Sequence, residues 1–230
     1  MKIKIVAALL TCIISPFTCV PGTNETCENR ICAVLEAQQA DGGAYCTDAV
    51  IYVERGGEKF TVAPSHDSGY EPSLVLADFT GDGLNDVYYN VQSGGSGAFS
   101  YSCIYDFSGP QPEIIFDSDE IENEYTAQYQ DGYKIKVTNG ERIFYIDLSG
   151  RSGEYLDGLY YDGKLIRPVA ADVSAVNTAA PVYIRSGTFD LSVMRRITGL
   201  YNADLLGYVQ EFCKYENGEF TVYFSAVCVA

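Results

Sequence analysis

The sequence predicts a mainly β protein. Short runs rich in β-branched and aromatic residues recur along the chain, separated by turn-forming residues. Three of the separators, Asp131-Gly132, Asn139-Gly140 and Asn217-Gly218, are dipeptides that favour two-residue hairpin turns. Hydrophobic residues make up 47% of the chain and aromatic residues 13%, so the chain can bury a core and is not disordered.

The N-terminus predicts an export signal over residues 1–22. Two lysines among the first four residues precede an apolar run, Ile5–Ile14, that is too short to span a bilayer. We therefore expect a secreted or extracellular protein; lipid anchoring at Cys12 or Cys19 is the alternative. Residues 23–230 are then the β-rich domain. No later segment is long and apolar enough to predict a transmembrane helix in the mature chain.

One short helix is predicted near the N-terminus, over residues 28–39, where Ala, Glu and Gln precede a Gly-Gly pair. After it come two strands, Ala49–Glu54 and Lys59–Ala63, joined by a glycine-containing turn. The meander around Asp131-Gly132 and Asn139-Gly140 and the final hairpin around Asn217-Gly218 follow later. Residues 170–180 are small and polar, and we interpret them as a connection.

The segment 78–86 predicts a loop that binds a hard divalent cation. It places oxygen side chains at loop positions one, three, five and nine, and a glycine at position six, where such a loop must turn. Position twelve is Tyr89 rather than Glu, which excludes a helix–loop–helix calcium site. Apolar, strand-forming runs flank the loop, so it is expected to cap a β-hairpin. The candidate ligands are the side chains of Asp78, Thr80, Asp82 and Asp86 and the backbone carbonyl of Leu84.

A family resemblance rests on this loop and two further segments. The run Leu76–Val87 resembles the FG-GAP/VCBS repeat, the calcium-loop repeat of integrin-type β-propellers and of many secreted bacterial proteins. The glycine-rich stretch Gly94–Gly97 and the segment Arg196–Gln210 are similar to a group of small secreted VCBS-repeat proteins. The resemblance implies bound calcium and a β-rich fold, and it implies no established reaction.

A weak internal repeat predicts two similar halves. Gly187–Leu191 echoes Gly83–Val87, and each segment is followed by apolar residues and a cysteine-bearing aromatic strand. In the second copy Val182, Ile184 and Ser186 replace the first three ligand positions, so we expect a degenerate loop without metal. The predicted architecture is propeller-like, with a first half over about 45–110 and a second over about 111–230; a β-sandwich is the alternative.

Charge and cysteine content limit the partners. The formal net charge is −16, with 31 acidic against 15 basic residues, so the surface would repel the phosphate backbone and no nucleic-acid partner is expected. The count of cysteines outside the predicted leader is even, which in an exported chain suggests three disulfides of undetermined pairing. The disulfide candidates are Cys27, Cys32, Cys46, Cys103, Cys213 and Cys228.

The favoured function is an exported calcium-binding β-repeat module, with calcium in a structural role, that binds an extracellular glycan or protein at the cell surface or outside the cell. Two alternatives stay open: a glycan hydrolase using paired carboxylates, and a purely structural envelope protein. The single histidine, His66, has no nucleophile motif beside it. No catalytic residue is therefore assigned.

Overall fold

The computed structural model describes residues 2–7, 31–40, 43–185 and 187–230. Its strands form two eight-stranded sheets and one small two-stranded sheet. The mainly β prediction is confirmed. The strands are collected in two large sheets rather than in separate four-stranded blades, and the only helix in the described residues is the five-residue α1 (Gly153–Asp157).

The first sheet is antiparallel throughout and follows the chain, with β4 attached beside β3. Its strands are β1 (Lys2–Ala7), β2 (Ile31–Gln39), β3 (Tyr45–Arg55), β4 (Glu58–Val62), β5 (Gly69–Ala77), β6 (Asp86–Gln92), β7 (Ser100–Asp106) and β8 (Glu113–Asp117).

The small sheet consists of β12 (Tyr160–Tyr161) and β13 (Lys164–Leu165), and the second large sheet runs in the order β11-β10-β9-β14-β16-β17-β18, with β15 beside β16. The strands of the second large sheet are β9 (Thr126–Gln130), β10 (Lys134–Thr138), β11 (Ile143–Asp147), β14 (Ala170–Val173), β15 (Thr178–Arg185), β16 (Thr188–Thr198), β17 (Leu205–Glu216) and β18 (Glu219–Val229).

The predicted N-terminal helix over residues 28–39 is wrong, because Ile31–Gln39 is strand β2. Its buried residues recur at every second position from Ile31 to Ala37. That period of two matches a half-buried strand, and it overrides the helical propensity of Ala, Glu and Gln. β2 pairs with β1, which lies within the predicted export signal; residues 8–22 of that signal lie outside the described part of the chain.

The hairpins predicted from turn dipeptides are confirmed. β3 and β4 pair across Gly56-Gly57, β9 to β11 form the meander, and β17 pairs with β18 across Asn217-Gly218. Asn217 and Gly218 have φ values of 55° and 91°, which is the geometry that a two-residue hairpin turn requires. The segment 170–180, predicted as a connection, instead contributes β14 and the start of β15.

Three buried clusters hold the sheets together. The first sheet surrounds one cluster, built from residues such as Leu35, Ile51 and Tyr89, and the second sheet surrounds another, which includes Tyr129 and Ile135. A third cluster lies between the two sheets and takes residues from both. β8 still pairs with β7, so the first sheet extends to Asp117, and the division into two halves near residue 110 stays a prediction.

Strand β6 belongs to two of these clusters at once. Val87, Tyr89 and Val91 point into the core of the first sheet, whereas Tyr88 points into the cluster between the sheets. The Tyr88 hydroxyl donates a hydrogen bond of 2.6 Å to the carbonyl of Ala179 in the second half. β6 therefore fixes the end of the predicted metal loop next to the junction of the two halves.

Candidate metal centre

The predicted cation loop connects β5 to β6, as expected for a hairpin cap. Ala77, the last residue of β5, pairs with Asp86, the first residue of β6, and residues 78–85 form the loop between them. Asp78 is half-buried, Asp82 is exposed and Asp86 is only 1% exposed. The first and last candidate ligands therefore sit at the base of the loop, and Asp82 sits at its tip.

The carboxylates organise the loop through its own backbone. Asp78 accepts hydrogen bonds from the N–H groups of Gly81 at 2.6 Å and Gly83 at 3.0 Å. Asp86 accepts from those of Phe79 at 2.8 Å and Thr80 at 3.2 Å. These bonds bend the chain back on itself, and Gly81 and Gly83 adopt the positive φ values, 79° and 86°, that this path needs.

Two of these carboxyl groups have raised pKa values. Burial, together with the nearby charges of Asp106 and Asp78, raises the pKa of Asp86 to about 7, against the lowering effect of its hydrogen bonds. Burial also raises the pKa of Asp78, against the lowering effect of its bonds to the loop. Among the described residues, neither carboxylate forms an ion pair with a basic side chain. A bound cation would compensate this buried negative charge.

Thr80 provides a second sign that the loop suits a cation. Its hydroxyl oxygen is buried and has no hydrogen-bond partner, and it is one of three such side-chain atoms in the described part of the chain. Three carboxylates, a hydroxyl and a backbone carbonyl are the oxygen donors that calcium prefers. However, no group of three or more acidic, histidine or cysteine side chains is gathered as metal ligands within the described ranges. The residues thus fit calcium in the type of their oxygen donors, while the carboxylates are bonded to the backbone of the loop itself.

The loop also docks on the second half of the protein. The carbonyl of Asp78 accepts a hydrogen bond of 2.7 Å from the N–H of Phe189, at the start of β16. The Phe79 ring lies 6.1 Å from the ring of Phe189 and 6.0 Å from that of Phe220, measured between centroids. No sequence pattern predicted this contact. Its one local signal is an aromatic residue at loop position two, which no ligand role requires.

The corresponding hairpin in the second half is much tighter. β15 ends at Arg185 and β16 begins at Thr188, so Val182 and Ile184 lie within a strand rather than in a loop. Asp190, which the internal repeat aligns with Asp86, is also 1% exposed, but it accepts a hydrogen bond of 2.8 Å from the Tyr223 hydroxyl. The repeat thus keeps the hairpin and a buried aspartate, and it replaces the loop by a turn.

The cysteines are distributed over two of the cores and the surface. Cys46 and Cys103 belong to the core of the first sheet and Cys213 to the cluster between the sheets, whereas Cys32 and Cys228 are exposed. All five are free thiols, and Cys27, Cys12 and Cys19 lie outside the described residues. The three-disulfide framework therefore stays a prediction.

His66 forms contacts that do not build a nucleophile. Its ring stacks on Tyr101 at 3.6 Å between centroids, and its Nε2 is hydrogen-bonded to the carboxylate of Asp119. The hydroxyl of the neighbouring Ser65 donates to Asp117 rather than to His66. The hydrolase alternative requires two carboxyl groups that face each other across a cleft. A depression of about 340 Å³ on β2–β4 is lined by eight described residues, and Glu54 is the one acidic residue among them.

Two comparisons with known proteins match parts of this chain. Residues 123–228 match the family model of the YybI C-terminal domain, which covers the second sheet and leaves the loop at 78–86 outside. The uncharacterized protein YybI of Bacillus subtilis (strain 168) is 37% identical over 158 residues. That alignment covers 66% of this chain and 60% of the relative, so the chain spans about three fifths of that protein. No solved structure matches, and no helix in the described residues could cross a membrane.

Proposed function

We propose that this protein is an exported binding module whose β fold is stabilised by one calcium ion. The side chains of Asp78, Thr80, Asp82 and Asp86 and the carbonyl of Leu84 would hold the ion. The observation that carries the proposal is the loop between β5 and β6, which combines calcium-type oxygen donors with the buried, uncompensated carboxyl group of Asp86. The likeness of Leu76–Val87 to the FG-GAP/VCBS repeat supports the same ion.

The role of the ion is structural. The donors belong to one short loop, and its backbone is already bonded to Asp78 and Asp86. The ion would offset the repulsion among the carboxylates and keep Phe79 against the second half. At a calcium concentration one hundred times the dissociation constant, binding to the folded state alone stabilises it by about 2.7 kcal/mol.

The partner of the module is an extracellular glycan or protein, in keeping with the predicted export signal. Incubation of the purified protein with a glycan array and with intact cells tests this part. A saturable ligand that is retained in calcium supports a binding module. The absence of any ligand on both surfaces favours the envelope-protein alternative instead.

Thermal unfolding in calcium and in chelator tests the metal site. For a chain of this size we expect calcium to raise the Tm of the natural sequence by roughly 5–10 °C, and the shift to disappear in Asp82→Ala. Asp147→Asn is the matched control, because Asp147 accepts a similar local bond, from the N–H of Ser149 at 2.8 Å, in a turn without a cation loop. An unchanged Tm of the natural sequence in chelator would refute the calcium proposal.

A further inference from the structure

A second site lies where the two halves meet at the other end of β6. The loop Ser93–Phe99 joins β6 to β7, and its glycine-rich centre was noted in the sequence without an assigned role. Gly94, Gly95 and Ala98 have φ values of 78°, 82° and 51°. The loop therefore holds a specific shape, which for Ala98 is a conformation that L-residues seldom adopt.

The second half fixes this loop in position. The side-chain amide of Asn177 donates to the carbonyls of Gly97 at 3.1 Å and Ala98 at 3.2 Å, and the backbone of Asn177 accepts from the N–H of Ser100. Asn177 is 4% exposed. Asn177 thus binds carbonyl groups of the loop and none of its N–H groups. The N–H groups of Gly95, Ser96 and Gly97, at the tip, have no hydrogen-bond partner among the described residues.

A buried cation faces the same loop. Arg196 of β16 is 7% exposed, and its Nη1 lies 3.5 Å from the position that a Cβ on Gly97 would occupy. The guanidinium donates to Asn202, to the side-chain oxygen at 3.4 Å and to the carbonyl at 3.2 Å. Within the described residues it has no carboxylate partner, although acidic residues outnumber basic ones two to one in this chain.

An uncompensated buried charge needs an explanation. The two bonds to Asn202 hold the turn between β16 and β17, but a neutral amide could make similar bonds without the cost of burying a charge. The neighbouring Arg195, on the opposite face of β16, does have a carboxylate partner, Glu211, at 3.6 Å. A planar guanidinium next to free backbone N–H groups is instead the combination that binds an oxyanion.

An exposed tyrosine ring packs against the loop. Tyr70, 39% exposed, packs against Gly94 at one end of the loop, and Tyr201, 63% exposed, precedes Asn202 in the sequence. Such rings present a flat apolar face beside a polar edge, which suits a sugar ring. We propose that Arg196 and the loop Ser93–Phe99 bind the carboxylate or phosphate group of an anionic saccharide. This deepens the proposed binding function and does not depend on the calcium loop.

Backbone amide spectra of the full chain, saturated with calcium, test the proposal. Three probes are titrated separately: glucuronate, glycerol 3-phosphate and neutral glucose. We expect the two anions to shift the amide signals of Gly95, Ser96 and Gly97, and glucose to leave them in place. A stronger response to one anion identifies the group as carboxylate or phosphate. Equal responses to glucose and glucuronate, or no response to any probe, would overturn the proposal.

Variants separate an anion site from a turn clamp. Arg196→Gln should weaken anion binding at least tenfold, and Ser96→Asp should do the same by repulsion while leaving the Tm unchanged, because Ser96 is exposed. Ser96→Asp therefore decides the matter even if Arg196→Gln fails to fold. The control is Arg142→Gln, which removes an exposed arginine bonded to Ser225 in the second sheet. Binding that is unaffected by Ser96→Asp would mean that Arg196 only clamps the turn.

Discussion

Replacing Phe189 with alanine should weaken both the fold and the cation loop. Phe189 is 8% exposed in the cluster between the sheets, and its ring contacts Phe79 of the loop and Tyr183 of β15. Removing a buried phenylalanine ring typically costs 3–5 kcal/mol. Since a small part of this ring is accessible, we expect a loss of about 3 kcal/mol in the free energy of unfolding, measured by urea denaturation with calcium present.

The effect on calcium follows from the loss of one aromatic contact. The backbone bond from Phe189 to Asp78 survives the substitution, but the Phe79 ring loses a partner that holds the loop in place. Such a ring pair is worth about 1 kcal/mol, so the calcium dissociation constant should rise roughly fivefold in a calorimetric titration. No candidate ligand is changed, so this weakening would come from the docking of the loop.

Phe224→Ala is the matched control for this substitution. Phe224 lies in the same sheet and its ring lies 5.9 Å from that of Phe212, but it is 51% exposed. It should cost no more than about 1 kcal/mol and leave calcium affinity unchanged. Phe189→Ala could lower stability as expected and still bind calcium as tightly as the natural sequence. That result would refute the claim that the contact between Phe79 and Phe189 strengthens calcium binding by the loop.

Two further predictions concern thiols and a crowded glycine. At pH 8, a thiol reagent should label Cys32 and Cys228 rapidly, and Cys103 and Cys213 only after unfolding, because burial raises the pKa of both buried thiols to about 12. Their contribution to stability is complete below pH 9 and is lost as the pH rises towards 12; rapid native labelling of all five described thiols would contradict the structure. Gly199→Ala should destabilise the protein by roughly 2–3 kcal/mol in urea, since the added methyl would overlap Asp204 and the Tyr129 hydroxyl. Gly150→Ala, which meets nothing, is its control, and equal stabilities of these two variants would contradict the packing.

The features that the sequence predicted are local ones. Turn dipeptides such as Asn217-Gly218 predict hairpins because both residues readily adopt the positive φ values that a two-residue turn requires. The donor set from Asp78 to Asp86 was visible for the same reason, since the candidate ligands lie within nine consecutive residues. The docking of Phe79 on Phe189 was not predictable, because the two residues are far apart in the sequence and meet where the two large sheets pack together.

The features that were missed depend on distant partners. β2 was predicted as a helix from its Ala, Glu and Gln content. In the structure every second residue of β2 is buried in the core of the first sheet, which is the pattern of a strand. The segment containing β14 was interpreted as a connection because its residues are small and polar, yet β14 joins β9 to β16 and so connects the two parts of the second sheet. Arg196 carries no local motif; its one signal is a pair of arginines in a strand of an acidic chain.

The two-sided burial of β6 has a consequence for cooperativity. Val87 and Tyr89 complete the first core while Tyr88, between them, completes the cluster shared with the second half. Detaching β6 would therefore expose both regions together. We expect a single unfolding transition, with tyrosine fluorescence and far-ultraviolet circular dichroism changing at the same denaturant concentration. A chain whose strands form two separate large sheets would then behave in solution as one indivisible unit.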